Sequence, residues 1–459
     1  MEERMIQPEE RMPRKERTSA RIRSKSPRIF AVEMLRLLAI VGIAIFHTFL
    51  PAFESVLGYG PWPTVPNVPI SAVTGTLWAV WLVMMIKFVG AWGNHIFFMI
   101  SGYFLIPRMM RDSLEPGYWR KQAVSTARRV AQVLATVAFY TLIMLAVDRF
   151  VAPVASAGWK EWFLLGLEFI WIYTLVVALA PAAAWLLARI ARWNATVLAV
   201  LVAVLTVLVY ALNAHVAFAS SVGSFGLLDW RKWAGALSYA LSFVVAGLIG
   251  FAIRGAREGG VVAGSCGDDC GDGRSHARNR TPLWLRACVW GWLLAVTFVA
   301  LGAVVAWAMI HGDYSLTYRL SFKSTSAFSF VLAVCSLMIA VTRGRSDDVR
   351  DDGVRNATTA LPAAAPSHFH NAVQALASGI LGFYVVQSLA GGLWKPLCER
   401  AMAPALANAA LVGGQAARFG WLIVWFAIGI AFSVAFVAVV CVCDRCIRQP
   451  LLRALKLSR

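Results

Sequence analysis

The chain has 459 residues, of which 59% are hydrophobic and only 15% charged, with a mean hydropathy of +0.65. A soluble domain carries about 25% charged residues, and apolar runs long enough to cross a bilayer recur along the whole length. These figures exclude a soluble globular protein and a soluble domain with one anchor. The expectation is an all-α polytopic helix bundle in a lipid bilayer.

Residues 1–28 hold nine basic and five acidic residues, three prolines and no apolar core. That does not resemble a cleaved signal peptide and reads as a disordered basic cytoplasmic tail. About ten spans follow, at 30–50, 78–105, 130–147, 162–188, 195–212, 233–253, 287–310, 323–342, 371–393 and 418–442. They form one transmembrane domain over residues 29–443. The second run is long, and its AWGN sequence at 91–94 is a place for a break or kink. The first outer loop, 51–77, has five prolines, three glycines and Glu54 but no basic residue, which suits an ordered rim. Residues 254–286, rich in Gly, Asp and Arg, and 343–370, ending in an Ala/Pro stretch, read as flexible inner connectors. A second basic tail, 444–459, closes the chain.

With the N-terminus inside, 32 of the 43 Lys and Arg fall on the inner side. Nine lie in outer loops or at their borders, and Arg36 and Lys87 lie within spans. This asymmetry places both termini in the cytoplasm. It also accounts for the net charge of +19 without a nucleic-acid partner. Asn194, Asn279 and Asn356 begin glycosylation-like triplets on the inner side and are chance matches. Cys266 and Cys270 sit in a polar loop, and Cys441, Cys443 and Cys446 cluster where the last span exits. No disulfide framework is expected. The CVCDRC run lacks a second ligand pair, so no metal is expected either.

The first span reads FAVEMLRLLAIVGIAIFHTFL and carries Glu33, Arg36 and His47. An ionisable group at the centre of a spanning helix costs about 2.5–3.5 kcal/mol, so such groups usually face a bundle interior or an aqueous cavity. Arg36 and His47 lie eleven positions apart. That is three turns plus roughly 20°, which places them on one stripe about 16 Å apart along the axis. Glu33 is one turn before Arg36, within pairing distance. A guanidinium holds phosphate, carboxylate or a developing oxyanion; an imidazole accepts and returns a hydroxyl proton. The plain alternative is a buried ion pair plus a histidine satisfied by its neighbours. Three ionisable groups on one span favour function.

In the second span, His95 and Ser101 stand in NHIFFMISGY. Ser101 and Gly102 allow close helix approach, and His95 reads as a core histidine. With the first span, this stretch resembles the acyltransferase 3 family of bacterial membrane acyltransferases. That family shows an acidic residue three before Arg, then His eleven after it, then Phe-Phe-x-x-Ser-Gly-Tyr/Phe in the next span. Glu33, Arg36 and His47 match the first motif; Phe97, Phe98, Ser101, Gly102 and Tyr103 match the second. Weaker echoes are the Arg128-Arg129 pair of the basic inner loop, Trp171 to Pro181, and Ser378 to Tyr384. The departures are Asn94-His95 for Val-Pro, Gln387 for the late His, and an unrecognisable His-x-Trp entry to the fourth span.

The resemblance implies transfer of an acyl group, most often acetyl, from cytoplasmic acyl-CoA. The acceptor is a hydroxyl of a cell-surface or lipid-linked carbohydrate, and the location a bacterial inner (plasma) membrane. It assigns catalysis to His47, Arg36 and Glu33. Ser101, Arg128 and Arg129 are candidates for substrate binding. The rival from another class is a transporter or channel with an intramembrane Arg/His pathway, although no paired broken helices in two similar halves are seen. A non-catalytic scaffold that keeps the fold is the third reading.

Overall fold

A computed structural model describes residues 29–57, 69–154, 158–219, 230–265, 286–321, 326–357 and 368–455. The expected N-terminal tail, Cys266, Cys270, Asn279 and part of the first outer loop lie outside them. A chain this apolar, placed in lipid, must satisfy its backbone within each segment, and among the described residues the result is helices with no strand.

In chain order these are α1 (Phe30–Val56), α2 (Ser71–Thr74), α3 (Leu77–Asp112), α4 (Tyr118–Phe150) and α5 (Glu168–Trp193). Next come α6 (Ala195–Phe218), α7 (Trp230–Ser265), α8 (Ala287–Ile310), α9 (Tyr314–Ser321) and α10 (Ala327–Ala357). The chain closes with α11 (His368–Ala377), α12 (Ile380–Leu389), α13 (Gly391–Leu411), α14 (Gln415–Cys443) and α15 (Gln449–Ala454). Short π-helical turns occupy Lys160–Leu165 and Asp444–Arg448.

Eight of these helices are long and apolar enough to cross a membrane; α11 and α12, bent by 53° at Ser378–Gly379, make a ninth if read as one broken span. The remaining expected span, 323–342, falls on α10, whose apolar part, Ala327–Arg343, is a shorter helix. Helices α7 and α10 run on to Ser265 and Ala357, into the segments read from sequence as connectors. Asn194 has a structural use: its side chain caps α6 by accepting from the Thr196 and Val197 amides at 2.8 and 3.1 Å.

Helix α3 is the axis of the bundle. In its apolar stretch 72% of residues are buried, against 6% in α6, which lies at the periphery. The AWGN sequence does not interrupt α3: the helix is continuous through it. The glycines serve packing instead. A Cβ on Gly90 would strike the Phe46 ring, and one on Gly93 the Ala39 carbonyl and Ile43. Small residues let α1 lie directly on α3. Gly102 does the same for α7, where a Cβ would collide with the Phe243 carbonyl. Because that obstacle is backbone, Gly102→Ala is expected to cost about 1–3 kcal/mol by overpacking. A lowered thermal midpoint in detergent reads it out; an unchanged midpoint contradicts the close contact.

The C-terminal segment is not a detached tail. Asp444 is fully buried and Arg448 is 5% exposed, and the two form an ion pair. Tyr140 of α4 donates to Asp444 at 2.8 Å, and Arg448 donates to Thr136 at 3.0 Å. The Gln449 amide donates to the Ser378 hydroxyl at 3.0 Å. The polar side chains of this segment thus bind α4 and the break between α11 and α12.

Candidate active site

Two chambers lie along one stripe of α1. The first, of about 400 Å³, is lined by Arg36, Ser101, Arg129, Gln132, Tyr173 and Tyr384, with apolar residues between them. The second, of about 300 Å³, is lined by His47, Lys87, Asn94, Glu168, Gln387, Ser388 and again Tyr384. The α1 stripe explains the division: Arg36, Ala39 and Ile40 face the first chamber, and Ile43, Phe46, His47 and Leu50 face the second. The spacing of three or four residues keeps them on one side of the helix. Helices α3, α5 and α12 contribute to both chambers in the same way.

Between the chambers stands a cluster of rings. Phe169 stacks on Tyr384 with centroids 4.6 Å apart, and Phe97 meets Phe169 at 5.2 Å and Tyr384 at 4.7 Å. Arg36 and His47 therefore line different spaces, with an aromatic constriction between them.

In the first chamber, Arg36 Nη1 donates to Glu33 Oε2 at 2.9 Å and to Oε1 at 3.2 Å. Glu33 is buried, and the Arg36 side chain is 27% exposed. The pair uses one guanidinium nitrogen, which leaves the rest of the fork for a ligand. Arg129 lines the same chamber from α4, and its Nη1 is buried with no partner among the described residues. A buried donor without a partner is costly, and a bound anion would supply one. Arg128, adjacent in sequence, is exposed and does not line the chamber, because consecutive residues project about 100° apart. Ser101 donates to the Phe97 carbonyl at 3.1 Å and lies 3.4 Å from the Tyr173 hydroxyl. It has no histidine beside it in that chamber.

In the second chamber, His47 packs edge-on against Phe46, centroids 4.7 Å apart. Lys87 of α3 sits over the rings of Phe46 and Phe53, at 4.6 and 4.8 Å from their centroids, a placement that steadies a cation within the bundle. Gln387, where the family has its late histidine, reaches this chamber. His95 lies elsewhere, buried, with Nδ1 2.7 Å from the Ser242 hydroxyl. Of the C-terminal cysteines, Cys441 is buried while Cys443 and Cys446 are exposed. No metal-ligating group of three is found among the described residues.

The sequence matches the acyltransferase 3 family, described as an acyltransferase domain, over residues 29–443. The chain belongs to this family. It is accordingly a multi-pass membrane acyltransferase. No curated protein and no solved structure matches it significantly.

Sequence reasoning missed several lining residues of this acyltransferase. Lys87 carries a signal, since a lysine in an apolar span is as unusual as Arg36. Glu168, in the first turn of α5, is another charge inside a predicted span, 162–188. Tyr173 and Phe169 carry none, because aromatic residues are ordinary in a membrane helix.

Proposed function

We propose that this acyltransferase moves an acyl group, acetyl in the first instance, from acyl-CoA to a carbohydrate hydroxyl at a bacterial plasma membrane. The observation that carries this reading is the pairing of an arginine-lined chamber with a histidine-lined one along a single helix. Coenzyme A is a polyanion on a long flexible arm. Its phosphates suit Arg36 and Arg129, and its thioester end suits the approach to His47. The positive-inside asymmetry supports a cytoplasmic position for the first chamber, the side on which acyl-CoA is available. Arg128, exposed nearby, adds long-range attraction for the coenzyme.

In the reaction, His47 takes the proton of the acceptor hydroxyl. The hydroxyl oxygen bonds to the thioester carbonyl carbon, and the carbonyl electron pair moves onto oxygen. When that pair returns, the C–S bond breaks and the thiolate leaves with the proton held by His47. Glu33 anchors Arg36 and thereby positions the donor. An acceptor rich in hydroxyls suits a chamber walled by Asn94, Glu168, Gln387 and Ser388, whose side chains hydrogen-bond readily to sugars.

The test is ester-linked acetate on surface glycans of cells with wild-type protein, with His47→Ala, or with no gene, at matched membrane levels. Acetate present with wild type alone is the expected result. Equal acylation in all three, for acetate and for longer chains, contradicts the proposal. A second expectation concerns the donor. Arg129→Gln removes one charged hydrogen-bonding group, a loss of about 1.5–3 kcal/mol. The KM for acyl-CoA should therefore rise roughly 10–100-fold, with a smaller change in kcat. An unchanged KM would remove Arg129 from the donor site.

A further inference from the structure

Tyr384 belongs to both chambers, and its hydroxyl is buried with no hydrogen-bond partner among the described residues. The residue lies in α12, one turn past the bend from α11. Its ring is fixed on both sides, stacked on Phe169 and tilted against Phe97. Folding thus pays for an unmet hydroxyl at the single ring that borders both the arginine chamber and the histidine chamber. Buried polar groups are nearly always paired, and an exception calls for an explanation.

A purely structural role does not provide one. Phenylalanine would fill the same space, stack on the same rings and bury no orphaned hydroxyl. A ligand does provide one. If the donor enters from the side of Arg36 and the acceptor from the side of His47, the thioester carbonyl meets the acceptor oxygen between the chambers. During attack that carbonyl oxygen becomes an oxyanion in surroundings made of aromatic rings. An uncompensated negative charge there is prohibitive, and a preorganised O–H donor is the usual remedy.

We infer that the Tyr384 hydroxyl is a catalytic donor that hydrogen-bonds the acyl carbonyl oxygen as it becomes an oxyanion between the two chambers. This assignment rests on the acyl-CoA reading above. The proton of Tyr384 stays on the hydroxyl throughout: it donates a hydrogen bond and is not transferred. The rings of Phe97, Phe169 and Tyr384 are in contact in this state, so the acyl arm must part them on entry. That act brings the carbonyl to the hydroxyl and keeps water from the thioester until the arm is in place.

The experiment compares wild type with Tyr384→Phe, using acetyl-CoA as donor and native envelope membranes as acceptor. In Tyr384→Phe, kcat should fall about 10²–10³-fold, with the KM for acetyl-CoA little changed, the pattern of an interaction made only in the transition state. The thermal midpoint in detergent should stay level or rise, because the variant loses an unpaired buried hydroxyl. A structural hydrogen bond from the hydroxyl would instead make its loss lower that midpoint. Wild-type kcat in Tyr384→Phe, or a loss confined to KM, overturns the assignment. Failure of the wild type itself to use acetyl-CoA or any longer acyl-CoA overturns the donor reading, and the role of Tyr384 with it. Activity in the wild type matched by Tyr384→Phe overturns only the role of Tyr384.

Discussion

Replacing His47 by alanine is expected to reduce acyl transfer by about 10²–10⁴-fold, the usual contribution of a positioned general base. The imidazole lines the second chamber, and among the described residues no other histidine lines either chamber. The loss should fall on kcat and on kcat/KM alike, because proton abstraction is made only in the transition state. The KM for acyl-CoA should change little, since the proposal gives the donor's phosphates to Arg36 and Arg129 at the other end of the stripe. His47→Gln is the informative companion: it keeps hydrogen bonding and approximate size but cannot take up the proton. It should be nearly as inactive as His47→Ala and as abundant in the membrane as wild type. Substantial activity in His47→Gln would mean that the ring only fills space.

The second large effect concerns stability. Asp444 and Arg448 form a buried pair that also takes hydrogen bonds from Tyr140 and gives one to Thr136. Removing one member of such a pair strands the other charge and costs about 3–5 kcal/mol. Asp444→Ala is therefore expected to lower the thermal midpoint strongly and to reduce the protein recovered in membranes. Replacing both charges by apolar residues of similar size, Asp444→Leu with Arg448→Met, should cost much less than Asp444→Ala alone. A double variant as unstable as the single one would contradict this account. The network also reaches the active site. Thr136 is one turn from Gln132, and Ser378 bonds to Gln449; both Gln132 and Ser378 line the first chamber. Any Asp444→Ala protein that does fold should therefore show a raised KM for acyl-CoA.

Much of the bundle is legible in the sequence because bilayer-spanning helices announce themselves by length and hydropathy. The pairing of Glu33 with Arg36 is equally legible, since both partners lie within one turn. What fails is whatever depends on neighbouring helices. AWGN contains two adjacent residues of low helix propensity, Gly93 and Asn94, which suggest a break, but Gly93 is there because α1 lies against it. Arg128 and Arg129 are equivalent as a motif, yet only helical phase decides that Arg129 reaches the chamber. The burial of Asp444 could not be foreseen either, because Tyr140 is 304 positions away. The same holds for Tyr384, whose ring partners come from α3 and α5. Its value to the site appears only when its hydroxyl is found without a partner.

The measurement that tests the central claim most directly is donor-side labelling in sealed membrane vesicles of known orientation. Inside-out vesicles, which present the expected cytoplasmic face, would be given radiolabelled acetyl-CoA, and ester-linked label on the enclosed glycans would be followed. The account predicts label in vesicles with wild-type protein. It predicts little with His47→Gln, and little in right-side-out vesicles, where the coenzyme cannot reach Arg36 and Arg129. Equal labelling in both orientations, or labelling that persists with His47→Gln, would contradict transfer from the arginine chamber to the histidine chamber.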